Sequence, residues 1–174
     1  MISALACVRE RTRTLLHAQF LLVGLAAVVL VLPGTPQAAD AISTVEAYVA
    51  AWNEHDATKA ASYLAENVEY YDASVGEPQK GRDAARTNVI EAFLTAVPDA
   101  KWQRVGDPVI QGNSVAFEWT FSGTNTGDWS DGTKATGKPF TIHGLSLFRI
   151  ADDNILYQGD YYDALGFYTQ LGLN

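Results

Sequence analysis

Cysteine and histidine are scarce in this sequence. The one cysteine, Cys7, lies in the N-terminal segment, so the rest of the chain has no disulfide and no thiolate to act as nucleophile or metal ligand. His17, His55 and His143 stand far apart, without the paired spacing that is typical of zinc sites. We therefore predict no bound metal and no other cofactor.

Basic residues are also few. Lysine and arginine together number 12 against 20 aspartates and glutamates, which gives a formal net charge of −8. Nucleic-acid binding depends on clustered lysine and arginine side chains that contact phosphates. We therefore predict that nucleic acid is not a partner of this protein.

A long apolar run occurs near the N-terminus, at residues 20–32, and Pro33 and Gly34 end it. Three arginines between positions 9 and 13 precede the run, and the small residues Ala38 and Ala39 follow it. This order is typical of a secretory signal peptide, so we predict a leader at 1–39 and an exported, periplasmic or secreted, protein. The alternative is a retained membrane anchor, although the run is shorter than the ~20 residues that span a bilayer.

Residues 40–174 suffice for one domain, and they begin with helical patterns. Ser43 and Glu46 match a capping box, which predicts a helix start. Apolar residues then recur at helical spacing up to Trp52, and Tyr48 lies one turn before it, so the two rings should be buried side by side. Asp56 is placed to cap a second, shorter helix.

Strand and helix patterns alternate in the middle of the chain. Residues 67–72 alternate so that Val68, Tyr70 and Asp72 share one face, which we take as the inner one. Residues 73–81 are turn-rich, residues 82–97 predict a third helix, and residues 101–123 predict a hairpin with Trp119 on its buried face. Residues 125–138 are polar and glycine-rich, which predicts an exposed loop.

The last segment predicts a second hairpin and a short closing helix. Its strands are 140–150 and 155–162, and the second strand places Gln158 and Asp160 among tyrosines such as Tyr162. A carboxylate among aromatic side chains is costly to bury without a partner or a function. Asp160 is therefore a candidate site residue, whereas Asp163 is expected to cap the closing helix.

The order of elements predicts an α+β fold. Helices come first and long antiparallel strands follow, which favours a curved, mostly antiparallel sheet wrapped round three helices as a cone or α+β barrel. Such a sheet leaves an interior pocket that is open at one end. The residues expected to line it and to bind a ligand are Trp52, Tyr70, Trp119, Ser146, Gln158 and Tyr162.

Three segments, 48–56, 64–72 and 163–172, resemble the nuclear transport factor 2-like superfamily. The closing pattern of residues 148–172 is most similar to the SnoaL-like polyketide cyclases, with a more distant similarity to ketosteroid isomerases. The resemblance covers nearly all of the chain after the leader. It implies the cone fold with a pocket, which serves both enzymes and binding modules.

The resemblance also implies roles for individual residues. By similarity to ketosteroid isomerases, Tyr48 falls on an oxyanion-hole donor and Asp72 on a general base, while the second acid of that family falls on Ser146. By similarity to the SnoaL-like cyclases, Asp160 falls on the catalytic aspartate, and the family's histidine again falls on Ser146. Asp72 has a second interpretation, because it can cap the turn at Ala73 and Ser74.

His143 is a substitute for the missing histidine only in one register of the last hairpin. A simple two-residue loop at 152–153 pairs Leu145 with Asp160 and places His143 on the same face. A bulge of one residue instead pairs Ser146 with Asp160 and turns His143 away. The resemblance favours the bulged register.

Two functions remain open from the sequence. One is cofactor-free proton transfer next to a carbonyl, of the ester cyclase or isomerase type, on a small apolar polyketide- or steroid-like molecule. In that function Asp160 or Asp72 is the base and Tyr48 a donor. The other is a noncatalytic ligand-binding or dimerisation module, and in both cases we predict a homodimer formed through the uncovered sheet face. Whether Asp160 and Asp72 line one apolar cavity is the most informative observation.

Overall fold

The computed structural model describes residues 36–173, with side chains described for 41–173. The core of the predicted leader, at 20–32, lies outside the described residues, so the leader stays a prediction. Within the described part, no helix has both the length and the apolar composition needed to cross a bilayer.

The helices are α1 (Pro36–Asn53), α2 (Ala57–Ser62), α3 (82–96) and α4 (Ala164–Leu171). Because α1 begins at Pro36, the helix start predicted from the Ser43 capping box is wrong. The cap of α2 is confirmed, since the Asp56 carboxylate accepts the Lys59 backbone N–H at 2.8 Å. Asp163 caps α4 in the same way, through the Gly166 N–H at 2.9 Å.

Helix α3 contains a π-helical segment that the sequence did not predict. It starts as an α-helix over Arg82–Ala85, widens over Arg86–Glu91 and returns to α-helix over Ala92–Ala96. A π turn holds more residues than an α turn and therefore changes the direction in which the following side chains point. Phe93, just after this segment, is buried against the sheet.

Six strands form one open mixed sheet in the order β2-β1-β6-β5-β4-β3. Their bounds are β1 (Leu64–Asp72), β2 (Gln79–Lys80), β3 (Lys101–Gln111), β4 (Ser114–Thr124), β5 (Pro139–Ala151) and β6 (Asn154–Tyr162). The pairing of β1 with β6 is parallel, and the other pairings are antiparallel. The α+β class and the mostly antiparallel sheet are confirmed, but the sheet does not close into a barrel.

The β5–β6 hairpin has the bulged register. Asp152 and Asp153 form a tight turn in which both residues have positive φ, 48° and 61°. The register shifts between Arg149 and Ile150, and beyond the shift Ser146 pairs with Asp160. Because of the extra residue, Ser146 shares a face with Asp160, whereas Leu145 points to the other face.

The parallel pairing of β1 with β6 brings together residues far apart in sequence. Asp72 lies beside Asp160, and Tyr70 beside Gln158. Register partners on neighbouring strands share a face, and all four side chains point into the protein. The inner face predicted for Val68, Tyr70 and Asp72 is thus confirmed, whereas β2 lies in a segment that we had predicted to be a loop.

Aromatic side chains fill the space between the sheet and the helices. Tyr48 and Trp52 of α1 lie side by side as predicted, with ring centres 6.5 Å apart. The loop at 125–138 is only partly exposed, because Asn125 is fully buried. The side-chain amide of Asn125 donates to Ala96 O at 3.0 Å, which ties the loop to α3. The oxygen of the same amide accepts the Thr136 N–H at 2.9 Å within the loop.

Candidate functional site

A small cavity lies between the inner face of the sheet and helices α1 and α3. Its volume is about 30 Å³, which is room for about two water molecules. Asp72 and Asp160 both line it, and aromatic rings make up most of the rest. The lining residues are Trp52, Tyr70, Asp72, Phe93, Trp102, Trp119, Phe121, Ile142, Asp160 and Tyr162.

The Asp160 carboxylate is 5% exposed and accepts hydrogen bonds from neutral donors. Oδ2 accepts from Tyr70 Oη at 2.7 Å and from Gln158 Nε2 at 2.9 Å. Oδ1 accepts from Ser146 Oγ at 2.5 Å. Ser146 in turn accepts the Trp119 indole N–H at 2.7 Å, so a hydrogen-bonded chain leads from β4 through β5 to Asp160 on β6.

Burial and charge raise the pKa of Asp160. Loss of solvation is the larger cause, the negative charge of Asp72 adds to it, and together they raise the pKa to about 7. The hydrogen bonds from Ser146, Tyr70 and Gln158 act in the opposite direction. A carboxyl group with a pKa near 7 can both give and take a proton at neutral pH, as general acid–base catalysis requires.

Asp72 caps a turn and also lines the cavity. Its Oδ1 accepts from Ser74 N at 2.9 Å, Ser74 Oγ at 2.7 Å and Val75 N at 3.3 Å, so it caps the turn that follows β1. It also lines the cavity, where Oδ1 accepts from Tyr162 Oη at 2.9 Å. Since these bonds all fall on Oδ1, Oδ2 is the oxygen that is available to a ligand.

The two carboxyl groups are chemically distinct although they lie in register. Burial raises the pKa of Asp72, while bonds from Ser74, Tyr162 and Val75 oppose the rise. Asp160 lacks such backbone N–H donors and also experiences the charge of Asp72. Neighbouring carboxyl groups titrate as a pair, and here Asp160 is the member that keeps its proton to higher pH.

Tyr48 and Gln158 stand one layer behind the cavity and do not line it. Both are fully buried, and Gln158 contacts the site through its bond to Asp160. Tyr48 Oη lies near Trp52, Tyr70 and Gln158, but none of these contacts has hydrogen-bond geometry. Burial raises the pKa of Tyr48, so the phenol is neutral. Its position therefore gives no support to a role as direct donor to a ligand.

The structure corrects the placement of His143. The bulge in the β5–β6 hairpin turns this side chain to the outer, exposed face of the sheet, away from Asp160. There its Nδ1 lies 3.3 Å from Thr120 Oγ1 on the neighbouring strand. Ser146 occupies the position beside Asp160 instead and contacts the carboxylate directly.

Four residues of the cavity were missed as ligand-binding candidates: Phe93, Trp102, Phe121 and Ile142. Phe93 lies on the apolar stripe of α3, and Phe121 lies on the buried face of β4. An inward apolar residue gives the same sequence pattern whether it fills the core or lines a cavity. Trp52, Tyr70, Trp119 and Tyr162 do line the cavity, whereas Ser146 contacts it only through Asp160 and Trp119.

A larger groove lies on the outer side of Phe93. It has a volume of about 660 Å³, and its walls include Asn88, Trp129, Phe167 and Tyr168. Phe93 belongs to the linings of both spaces, and its ring centre is 5.4 Å from that of Trp129. The Phe93 ring therefore separates the inner cavity from the groove.

Comparison with known proteins identifies the family. The model of the SnoaL-like polyketide cyclase family matches residues 42–171. A search of curated proteins finds no match.

Solved structures give the same fold. TsrD from Streptomyces laurentii is 26% identical with a TM-score of 0.66, over 78% of this chain and 97% of that one. A ketosteroid isomerase-like protein from Catenulispora acidiphila, in complex with trimethylamine, is 21% identical with a TM-score of 0.63, over 75% and 93%. TerC, co-crystallised with polyporic acid, is 15% identical with a TM-score of 0.62, over 76% and 98%. The chain thus belongs to the SnoaL-like polyketide cyclase family.

Proposed function

We propose that the cavity binds a small, largely apolar carbonyl compound and catalyses cofactor-free proton transfer next to the carbonyl. The observation that carries the proposal is the pair of buried carboxyl groups, Asp72 and Asp160, that line one aromatic cavity. Pairs of acids whose surroundings separate their pKa values are suited to opposite roles in one reaction. Family membership supports the same reaction class, and the neighbour crystallised with polyporic acid supports binding of a small molecule in this fold.

The two acids divide the chemistry between them. Asp72 is the member that ionises first, so it accepts the proton when the carbon–hydrogen bond next to the carbonyl breaks. The electron pair moves into the carbonyl group to form an enolate, and protonated Asp160 donates a hydrogen bond to that oxygen. Returning the proton to a different carbon isomerises the substrate. In an ester substrate, attack of the enolate carbon on the ester carbonyl closes a ring, and the departing alkoxide takes the proton from Asp72.

Proton exchange tests this function directly. We expect the protein to accelerate exchange of the α-protons of an activated ketone such as acetylacetone in D2O, followed by NMR at pH 7. Asp72→Asn should lower the protein-dependent rate by about 10²-fold or more, which is the usual contribution of a general base. Glu66→Gln, which changes an exposed carboxylate on β1, should leave the rate unchanged. A parent rate equal to that of buffer, or an unchanged rate in Asp72→Asn, would overturn the proposal.

A noncatalytic pocket is the second candidate function. It is favoured by the three protein donors that already bond Asp160, and by a cavity that holds only about two waters. In that function the acids hold a ligand without reacting with it. The exchange experiment separates the two, because a binder leaves the ketone protons unexchanged.

Export belongs to the proposal as well, and so does assembly as a homodimer through the uncovered face of the sheet. The arginines at 9–13 and the apolar run at 20–32 support removal of a leader during export. Protein recovered from an exporting bacterial host should then begin near Ala39 or Asp40, as intact-mass measurement will show. Recovery of a membrane-bound product that still carries Met1 would favour the anchor instead.

A further inference from the structure

The aromatic walls of the cavity meet nearly at right angles. The ring of Trp102 lies at 81° to Trp52 and at 86° to Trp119, with ring centres 5.6 Å and 6.3 Å apart. Phe121 stands at 87° to Trp52, 6.3 Å away. All four rings line the cavity, and we call them the aromatic box. Aromatic cages hold ammonium groups by cation–π attraction.

The charge of the lining is negative and is not balanced by the chain itself. Asp72 and Asp160 are the charged residues of the cavity, and no lysine, arginine or histidine of the described part of the chain lines it. Their hydrogen-bond donors are hydroxyl, amide and backbone groups, which are all neutral. A buried carboxylate is stable when a cation accompanies it, so a cationic ligand would supply what the fold lacks.

We infer that the ligand of this cavity carries a small methylated ammonium head, which enters the aromatic box beside Asp72 and Asp160. The inference names the ligand class of the noncatalytic pocket, the second candidate function above, because a cation beside Asp72 and Asp160 leaves no protonated acid for an enolate. It rests on the proposed function only in taking the cavity as the ligand site. The uncharged remainder of the ligand extends toward the outer groove.

The size of the cavity requires one side chain to move when the head group enters. The present volume of about 30 Å³ is smaller than a trimethylammonium group needs. Phe93 is placed to make room, because its ring also faces the groove of about 660 Å³. Displacement of this ring into the groove would join the two spaces.

Binding of a cation favours the ionised form of Asp160, so affinity should rise with pH. The groups facing Asp160 are Tyr48 of α1, Tyr70 and Asp72 of β1, Ser146 of β5, and Gln158 and Tyr162 of β6. Burial raises the pKa of each of these tyrosines, so they stay neutral at pH 5 to 8. Asp160, with its pKa raised to about 7, is the group that changes charge in this range.

Calorimetric titration of the full chain with choline and with 3,3-dimethylbutan-1-ol tests the inference. The two probes have the same shape and differ in the positive charge, because carbon replaces nitrogen in the second. We expect choline to bind at least tenfold more tightly than the alcohol at pH 8. This ratio of affinities should be smaller at pH 5. Equal affinities, tighter binding of the alcohol, or no binding of choline would each overturn the inference.

Variants locate the binding. Asp160→Asn and Asp72→Asn should each lower the ratio of choline to alcohol affinity by at least threefold, whereas Glu66→Gln should not change it. An unchanged ratio in both aspartate variants would place the cation elsewhere and overturn the inference. If either variant fails to fold, the ratio measured with the parent at the two pH values still decides.

The ketone exchange experiment keeps this inference separate from the proposed function. Choline binding without ketone exchange would remove the catalytic function and leave the ligand class standing. Exchange that depends on Asp72, with no preference for choline over the alcohol, would do the reverse.

Discussion

Asp160 shows how the surroundings of one side chain set its chemistry. Three neutral donors hold the carboxylate in place, but none of them balances its charge. Loss of solvation therefore prevails over hydrogen bonding, and the pKa rises to about 7. The same donors fix the orientation of the carboxylate, as the proposed acid–base role requires.

Replacing Asp160 with asparagine should change how stability depends on pH. The pKa of Asp160 is raised in the folded state, from 3.8 to about 7. The stability that protonated Asp160 contributes to the fold is therefore fully present below pH 3.8 and is lost as the pH rises through 7. Asp160→Asn stays uncharged, so its free energy of unfolding should rise relative to the parent as the pH rises, and the difference in its favour should be larger at pH 8 than at pH 5. Denaturant unfolding at both pH values measures this.

The contrary result has a clear physical meaning. If Asp160 is ionised and serves only as a hydrogen-bond acceptor, the variant loses about 1–3 kcal/mol at pH 8, the usual contribution of bonds to a charged group. Such a loss would contradict the acid–base role. Asp163→Asn, which keeps a helix cap on the surface, is the matched control, and its difference from the parent in free energy of unfolding should be the same at pH 5 and pH 8.

Sequence patterns placed some of these side chains and not others. The alternation of β1 correctly predicted that Asp72 points inward. The aromatic neighbours of Asp160 identified it as a candidate site residue. The position of His143 depended on one extra residue in the hairpin, which no periodicity reveals. The bond from Trp119 to Ser146 was also unforeseen, because it depends on a tryptophan from another strand.

Among the elements, the pairing of β4 with β5 depends on a glycine. Gly144 lies opposite Trp119, and a Cβ atom at this position would lie 2.4 Å from the indole ring and 2.7 Å from Tyr161 O. The absent side chain lets the indole lie across the strand, where its N–H reaches Ser146. Gly144 thus positions the hydrogen-bonded chain that ends at Asp160.

Gly144→Ala should disturb the site as well as the strand. Forcing a methyl group into this contact should cost about 1–3 kcal/mol of stability. It should also weaken the Trp119–Ser146 bond, which denaturant unfolding and indole N–H NMR shifts will show together. Thr141→Ala, at an exposed position of the same strand, is the control and should change both measurements little. An unchanged Trp119 N–H signal in Gly144→Ala would contradict this account.

Long periodic elements were predictable, and irregular ones were not. The alternation of β4 and the helical stripe of α1 repeat over several turns or residues, so each gives a clear pattern. Strand β2 has two residues, Gln79 and Lys80, which is too short for any alternation to be seen. The π segment of α3 and the parallel pairing of β1 with β6 arise from tertiary packing, which a local pattern does not encode.

On the scale of the whole molecule, the outer face of the sheet carries exposed apolar side chains. Val105, Leu145 and Tyr161 are 48%, 41% and 45% exposed, and they surround one depression together with Glu118 and His143. An apolar patch on a sheet face that no helix covers is typical of a protein–protein contact. This surface is where we expect the proposed homodimer to form.

Leu145→Glu should convert the dimer to a monomer. The substitution places a charge at the centre of the patch, where two copies would bring like charges together. Sedimentation velocity at tens of micromolar protein should show the parent as a dimer and the variant as a monomer. Leu165→Glu, which changes a more exposed leucine on α4, should leave the dimer intact. A parent that sediments as a monomer would contradict the prediction.

The parallel contact of β1 with β6 also bears on how the chain folds. Tyr70 and Asp160 are 90 positions apart, and α3 and four strands lie between them in sequence. Contacts between distant segments slow folding because a long loop must close first. Asp72 and Asp160 therefore become desolvated late in folding, when β1 pairs with β6. Since an ionised carboxylate resists this step more than a protonated one, the rate of folding should fall as the pH rises from 5 to 8.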